Sequence, residues 1–217
     1  MTSNQPNVLS AKVVILGESA VGKTSIINRY INNSFNPECM TTPGASYASK
    51  TMFFEEYNKN IKFDLWDTAG QEKFRSLTKI FYKETSVAVL VYDITRKETF
   101  EEVQKYWYPQ IKENSPKKTI IAIAANKGDL YEEEQVEESV GRNFAKEIGA
   151  IFRYTSAKNS SGIDELFKAI GGKLIDPNFQ EGGKVEKDFE QEKNRAQSIS
   201  LNKKNHTSND KKESKCC

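Results

Sequence analysis

Apolar residues along this chain follow two rhythms. Residues 9–16, 47–54, 61–66, 87–92, 120–125 and 151–155 read as strands. The runs at 87–92 and 120–125 are unbroken, the pattern of strands buried on both faces. The run at 61–66 alternates, as a half-buried strand does, and the polar stretch 55–60 before it predicts an antiparallel hairpin with 47–54. Between these runs the apolar spacing changes to three and four. Residues 25–31 form one such segment. Residues 99–113 form a second, with Phe100, Val103, Trp107 and Ile111 on one face. Residues 133–148 form a third, which stops at Gly149, and residues 163–175 a fourth, with Ile163, Leu166, Phe167 and Ile170 inward. Buried strands alternating with helices predict an α/β fold. The sheet is doubly wound, six-stranded and mostly parallel with one antiparallel strand, and helices cover both faces. Residues 1–8 read as a flexible lead, 9–175 as one folded domain, and 176–217, poor in apolar residues, as a disordered tail.

Composition narrows the function. Lys and Arg number 32 against 30 Asp and Glu, a net charge of +2 in 217 residues. That balance argues against a nucleic-acid binder, which carries a basic excess. The three cysteines, two of them the last two residues, cannot build a disulfide framework and suit a reducing compartment. The polar N-terminus has no apolar signal core, and no run approaches the ~20 residues that span a bilayer. Membrane contact is therefore expected only through an attached lipid or a partner.

The stretch Gly17-Glu18-Ser19-Ala20-Val21-Gly22-Lys23-Thr24 carries the first chemistry. It sits between a predicted strand and a predicted helix, the context in which G-x-x-x-x-G-K-T binds phosphate. Its glycines let the backbone bend round an anion, and consecutive N–H groups at a helix N-terminus favour negative charge. Lys23 reaches the β- and γ-phosphates, and the Thr24 hydroxyl suits Mg²⁺. By itself the motif indicates nucleotide phosphates, not guanine.

Four more stretches follow in order: Thr42-Pro43-Gly44, Trp66-Asp67-Thr68-Ala69-Gly70-Gln71-Glu72, Asn126-Lys127-Gly128-Asp129 and Thr155-Ser156-Ala157-Lys158. Asp67, at a strand end, can hold an Mg²⁺ water and complete an oxygen shell with Thr24. Thr42 can donate a side-chain oxygen to the metal and its N–H to a γ-phosphate. Gly70 lets a backbone N–H approach that phosphate, and Gln71 can orient a water for in-line attack. Loss of the γ-phosphate would release both loops, an order–disorder switch. The Asp129 carboxylate can accept two hydrogens from guanine N1 and N2, a pair that adenine lacks. The Lys127 stem can stack on a ring face. Taken singly, each of these has a plainer reading as a turn or core residue.

With these motifs in hand, the chain resembles a small GTPase of the Ras superfamily, specifically the Rab family, over about residues 9–175. The resemblance implies the P-loop NTPase fold of small G-proteins. It implies GTP/GDP and Mg²⁺ as ligands, and hydrolysis of GTP to GDP and phosphate. The protein would act as a molecular switch in vesicle trafficking. The nucleotide would contact Ser19, Ala20, Val21, Gly22, Lys23, Thr24, Ser25, Phe35, Thr42, Gly70, Asn126, Lys127, Asp129, Ser156, Ala157 and Lys158. Gln71, Lys23 and Thr42 would be catalytic, and Thr24, Thr42 and, through water, Asp67 would serve the metal. Asn126 resembles the contact to guanine N7, the Ala157 N–H the donor to O6, and Phe35 the aromatic against the base. Residues 35–44 resemble switch I and 70–83 switch II. Tyr47, Trp66 and Phe81 match an aromatic trio that faces effectors, though an aromatic such as Trp66 on a strand equally fits core packing. Residues 91–95 and 74–77 resemble further Rab patterns, and Ser19-Ala20 is similar to the early-endosomal branch. The implied partners are an exchange factor, a GTPase-activating protein, effectors, a prenylation escort and a GDP-dissociation inhibitor. The implied setting is the cytoplasmic face of intracellular membranes, with a cytosolic GDP-bound pool and a monomeric protein.

Some residues depart from the family. Pro43 stands where an aliphatic residue is usual, and Phe81-Tyr82-Lys83-Glu84-Thr85 replaces a tyrosine-tyrosine-arginine-glycine-alanine pattern. Both alter the expected effector face. Cys39 in switch I and His206 in the tail read as incidental. No switch I arginine is placed to reach a γ-phosphate, so slow intrinsic hydrolysis is expected. Ser214 rather than cysteine stands four places from the end, which excludes a C-a-a-X box. Cys216-Cys217 instead resembles the double geranylgeranylation site of Rab proteins, the alternative being two idle thiols. Three other functions remain in competition: a signalling branch of the superfamily, a GTP holder that scarcely hydrolyses, and a P-loop kinase or ATPase. Gln71 and Thr42 speak against the second, and Asn126-Lys127-Gly128-Asp129 against the third.

Overall fold

A computed structural model describes residues 8–37, 42, 44–68 and 81–179. The chain divides into two units, Met1–Asn178 and Phe179–Cys217, and the description below concerns the first. Six strands form one sheet: β1 (Val8–Leu16), β2 (Ala45–Phe54), β3 (Lys59–Thr68), β4 (Val87–Asp93), β5 (Ile120–Asn126) and β6 (Ile151–Tyr154), in the order β2-β3-β1-β4-β5-β6. The predicted hairpin is present. β2 runs antiparallel to β3, with Tyr47 opposite Trp66, and every other pairing is parallel. β1 lies between β3 and β4, so the winding reverses there and opens a crevice at the carboxyl ends of the strands.

Helix α1 (Lys23–Asn32) follows β1 and ends at Asn33, whose left-handed backbone lets its N–H reach the Arg29 carbonyl. The segment expected as one helix over 99–113 is three consecutive pieces: α2 (Lys97–Glu102), a π-helical stretch Val103–Trp107, and α3 (Tyr108–Asn114). Phe100, Val103, Trp107 and Ile111 are all buried. The helix expected over 133–148 begins later. Residues Gly128–Glu133 form a 3₁₀ turn and α4 spans Glu138–Ile148. The Gln135 and Val136 N–H groups both donate to the Ile94 carbonyl, which pulls this acidic stretch out of helical register. Helix α5 (Ile163–Ile175) has the predicted bounds.

Two apolar layers cover the sheet. On one face, Ile26, Ile27 and Tyr30 of α1 meet Leu166, Phe167 and Ile170 of α5 over Val13, Ile15, Phe63 and Leu65. Tyr30 stacks on Phe167 at 3.6 Å between centroids, with Phe63 edge-on to both. On the other face, Phe100 packs against Tyr92 and Phe144. β4 is buried at every position, which explains its unbroken apolarity. Among the described residues no helix is long and apolar enough to cross a membrane.

Candidate functional site

The site is built at the carboxyl ends of β1, β3, β5 and β6. β1 runs out at Leu16, and the chain turns through Ala20 (φ 61°) and Gly22 (φ 97°) before α1 begins at Lys23. A turn that opens a helix leaves its first N–H groups without helical partners. Lys23 is buried, and its ammonium donates to the carbonyls of Gly17 (2.9 Å) and Glu18 (2.8 Å). Burial pulls its pKa down to about 8, against the opposing charges of Asp67 and Glu18. Two side chains grip the same loop from the β4 side. Trp107 Nε1 donates to Glu18 Oε1 (3.2 Å) and Arg96 Nη2 to the Ser19 carbonyl (3.0 Å).

At one end of the loop three oxygen-bearing side chains converge. Thr24 Oγ1 donates to Asp67 Oδ2 (2.6 Å) and lies 2.7 Å from Thr42 Oγ1, which is itself 3.3 Å from Asp67 Oδ2. Asp67 Oδ1 is buried without a hydrogen-bond partner among the described residues. Burial raises the Asp67 pKa, partly countered by the hydrogen bond from Thr24 and the charge of Lys23. A hard, all-oxygen set with an orphaned carboxylate oxygen fits a cation such as Mg²⁺.

The second half of the site is a braced loop. Asn126, at the end of β5, donates from Nδ2 to the Val21 carbonyl (2.8 Å) and so ties the two loops together. Lys127 adopts a left-handed backbone (φ 66°), and its ammonium sits 2.6 Å from Asp93 Oδ2. The Asp129 carboxylate accepts from Ser156 Oγ and lies 3.6 Å from Lys158 Nζ. The loop carrying Ser156, Ala157 and Lys158 is pinned to α1, because Arg29 donates to the carbonyls of Ala157 (2.8 Å) and Lys158 (3.0 Å).

A cavity of about 450 Å³ joins these parts, within the range that holds a small ligand. Ser19, Ala20, Gly22, Lys23, Thr24, Ser25, Phe35, Thr42, Asn126, Lys127, Asp129, Ala157 and Lys158 line it, all of them expected from the sequence. Val21 and Ser156 stand behind the wall, as the acceptor for Asn126 and the donor to Asp129. Asn36, Pro37, Thr68 and Leu130 also line it and were not expected; Asn36, Thr68 and Leu130 each adjoin an expected residue, Pro37 lies two residues past Phe35, and none carries a chemical signal of its own. Arg29, Arg96, Asp93 and Trp107 were missed as braces. Asp93 alone had a usable signal, a carboxylate closing a buried strand as Asp67 does. Gly70 and Gln71 lie outside the described residues, as do Cys39, Pro43, His206, Cys216 and Cys217.

The aromatic trio brings together Tyr47 of β2, Trp66 of β3 and Phe81, from the helical turn before β4. Tyr47 and Trp66 are 5.4 Å apart and Trp66 and Phe81 5.6 Å, with Tyr47 half exposed and Trp66 partly so. Trp66 is thus on an open face and not in the core. The Lys12 ammonium lies 5.6 Å from the Trp66 ring and donates to the Lys83 carbonyl (2.7 Å). Glu84, at the position of the family's glycine, takes a left-handed backbone (φ 59°).

Comparison with known proteins agrees with this architecture. The Ras family profile matches residues 12–176. The human Ras-related protein Rab-22A is 42% identical over 175 residues, which is 80% of this chain and 89% of that protein. The mouse Ras-related protein Rab-31 is 41% identical over 172 residues, 79% of this chain and 87% of its own length. The GTP-binding protein ypt5 of Schizosaccharomyces pombe is 38% identical over 167 residues, 76% and 78% of the two chains. A five-parallel, one-antiparallel sheet, a P-loop braced by an N-K-G-D turn, and these matches over most of its length place the chain in the Ras family as a Rab small GTPase, a GTP hydrolase of vesicle trafficking.

Proposed function

We propose that the cavity takes GTP with its phosphates on the loop from Ser19 to Ser25 and its base against Asp129. The observation that carries this reading is that Lys23, Thr24, Thr42 and Asp129, from separate loops, line one cavity. Asp129, already oriented by Ser156 and Lys158, accepts from guanine N1 and N2. The Lys127 stem and Phe35 pack on the ring faces, Asn126 faces N7, and the Ala157 N–H donates to O6. Lys23 stays charged against the β- and γ-phosphates. Thr24, Thr42 and Asp67 would hold Mg²⁺, Asp67 through a water; bound there, the ion would neutralise charge on the nucleotide's phosphates.

Hydrolysis needs few further parts. Gln71 orients a water in line with the γ-phosphorus, and Gly70 meets the γ-phosphate through its N–H. The water oxygen bonds to phosphorus as the bond to the β–γ bridging oxygen breaks; GDP leaves with the electron pair, and the water's two protons leave on the phosphate, released as dihydrogen phosphate. Thr42 and Gly70 then lose their phosphate contacts. Tyr47 follows the first responding segment in the chain, Trp66 precedes the second and Phe81 belongs to it, so effectors read the nucleotide at this aromatic trio. An exchange factor, an activating protein, an escort and a dissociation inhibitor act on the same cycle. Double prenylation at Cys216 and Cys217, in the tail beyond residue 175, anchors the protein to the cytoplasmic face of endosomal membranes. The relatives Rab-22A and Rab-31 support that setting.

Asp129→Asn tests the assignment. The amide cannot accept both guanine hydrogens, and it suits the extra carbonyl of xanthine. GTP binding weakens and xanthosine triphosphate becomes the better ligand. An Asp129→Asn protein with wild-type GTP affinity refutes the base assignment.

A further inference from the structure

Asp93 is a fully buried carboxylate at the end of β4, and it is not among the residues that line the cavity described above. The sheet register sets it beside Asn126, the residue just before Lys127. One carboxylate therefore reaches two structures. Its Oδ2 holds Lys127 Nζ at 2.6 Å and Arg96 Nε at 3.0 Å, while Oδ1 accepts from the Thr95 N–H (3.0 Å) and hydroxyl (2.7 Å). A buried carboxylate is tolerated when it is paired and fully hydrogen-bonded, and removing a partner is then costly.

The Arg96 guanidinium extends the chain of contacts. It donates through Nε to Asp93 and through Nη2 to the Ser19 carbonyl of the phosphate loop. Its backbone is fixed in advance. The Arg96 N–H donates to the Asp93 carbonyl, and the buried Thr99 hydroxyl bonds both the Asp93 N–H and the Arg96 carbonyl. A rigid, planar fork can hold two acceptors in different directions at once, which a lysine ammonium on a flexible stem does poorly.

We propose that Asp93 and Arg96 are positioning residues that lock the base-reading Lys127 and the phosphate-binding Ser19 into one frame, and that nucleotide retention depends on this bridge. The inference rests on the guanine-nucleotide reading of the cavity. Neither residue touches the nucleotide; each acts through a residue that does. Lys127 cannot swing its stem away from the base while Asp93 holds its ammonium. Ser19 cannot drift while Arg96 holds its carbonyl.

The experiment is GDP release from the full-length protein, followed with a fluorescent GDP in Mg²⁺ buffer and excess unlabelled GDP. Loss of one charged hydrogen bond in the frame speeds release about tenfold in Arg96→Gln. Arg96→Lys keeps the charge but loses the fork, and it releases GDP as fast as Arg96→Gln. Asp93→Asn also speeds release, and adding Arg96→Gln to it gives no further gain, because both changes break the same bridge. If Asp93→Asn does not fold, the comparison of the two Arg96 variants decides alone, since Arg96 is about one-third exposed. Arg96→Lys with the wild-type rate, or Arg96→Gln within about twofold of it, overturns the bridge. Wild-type protein that retains no GDP would instead overturn the reading of the cavity on which the bridge depends.

Discussion

Gly22→Ala isolates the coupling between the two halves of the site. Gly22 has φ 97°, in the left-handed half of backbone space, and a Cβ built there falls well inside the contact distance of Asn126 Nδ2. That amide holds the Val21 carbonyl at 2.8 Å. Alanine thus has two costs. The backbone strain is about 1–2 kcal/mol, and displacing Asn126 leaves a buried acceptor unpaired at about 1–3 kcal/mol. A middle value of about 3 kcal/mol corresponds to about two orders of magnitude in GDP affinity if the free loop relaxes and binding must restore it. Competition against labelled GDP measures the loss. Gly149→Ala is the control. It too has a positive φ, 69°, but nothing lies within 4 Å of its Cβ, and it caps α4 away from the cavity. It should cost about 1 kcal/mol of stability and leave GDP affinity unchanged. A Gly22→Ala protein that binds GDP within about threefold of wild type would refute the link from loop to loop.

Phe167→Ala removes a fully buried ring stacked on Tyr30 and should destabilise the fold by about 3–5 kcal/mol; urea denaturation with GDP in excess measures it, and a loss under about 1 kcal/mol would mean the layer between α1 and α5 repacks freely. Replacing Cys216 and Cys217 by serine should leave GDP binding intact and move the protein from the membrane pellet to the supernatant, while intact mass of the wild type should show two added lipids; an unmodified wild-type mass refutes the anchor.

Much of this molecule was legible because its signals were local. The unbroken runs of β4 and β5 and the alternation of β3 reflect burial on two faces and on one, and α5 kept its predicted bounds because four apolar residues at helical spacing meet a single layer. The misreading at 133–137 has a tertiary cause. Glutamates favour a helix, yet two backbone N–H groups there are claimed by Ile94, some forty residues earlier in the chain. The same distinction separates the parts of the site. Residues marked for the proposed site by type and spacing, such as Lys23, Thr24 and Asp129, were visible. Arg29, Arg96 and Trp107 were not, because a donor aimed at a distant carbonyl or carboxylate leaves no mark on its neighbours in sequence. The π-helical stretch was likewise invisible: its apolar face has ordinary helical spacing.

The cavity wall runs from Ser19 to Lys158 and hangs on four separate strand ends. The complete wall therefore forms only when those strand ends are brought together by the fold. Occupancy and folding are thermodynamically linked, since a ligand that binds only the native state shifts the unfolding equilibrium by mass action. On the proposed cycle the emptied protein would be the species most vulnerable to unfolding and to proteases. An exchange factor that expels the nucleotide would then also have to shelter it, as a chaperone does, until the next nucleotide arrives.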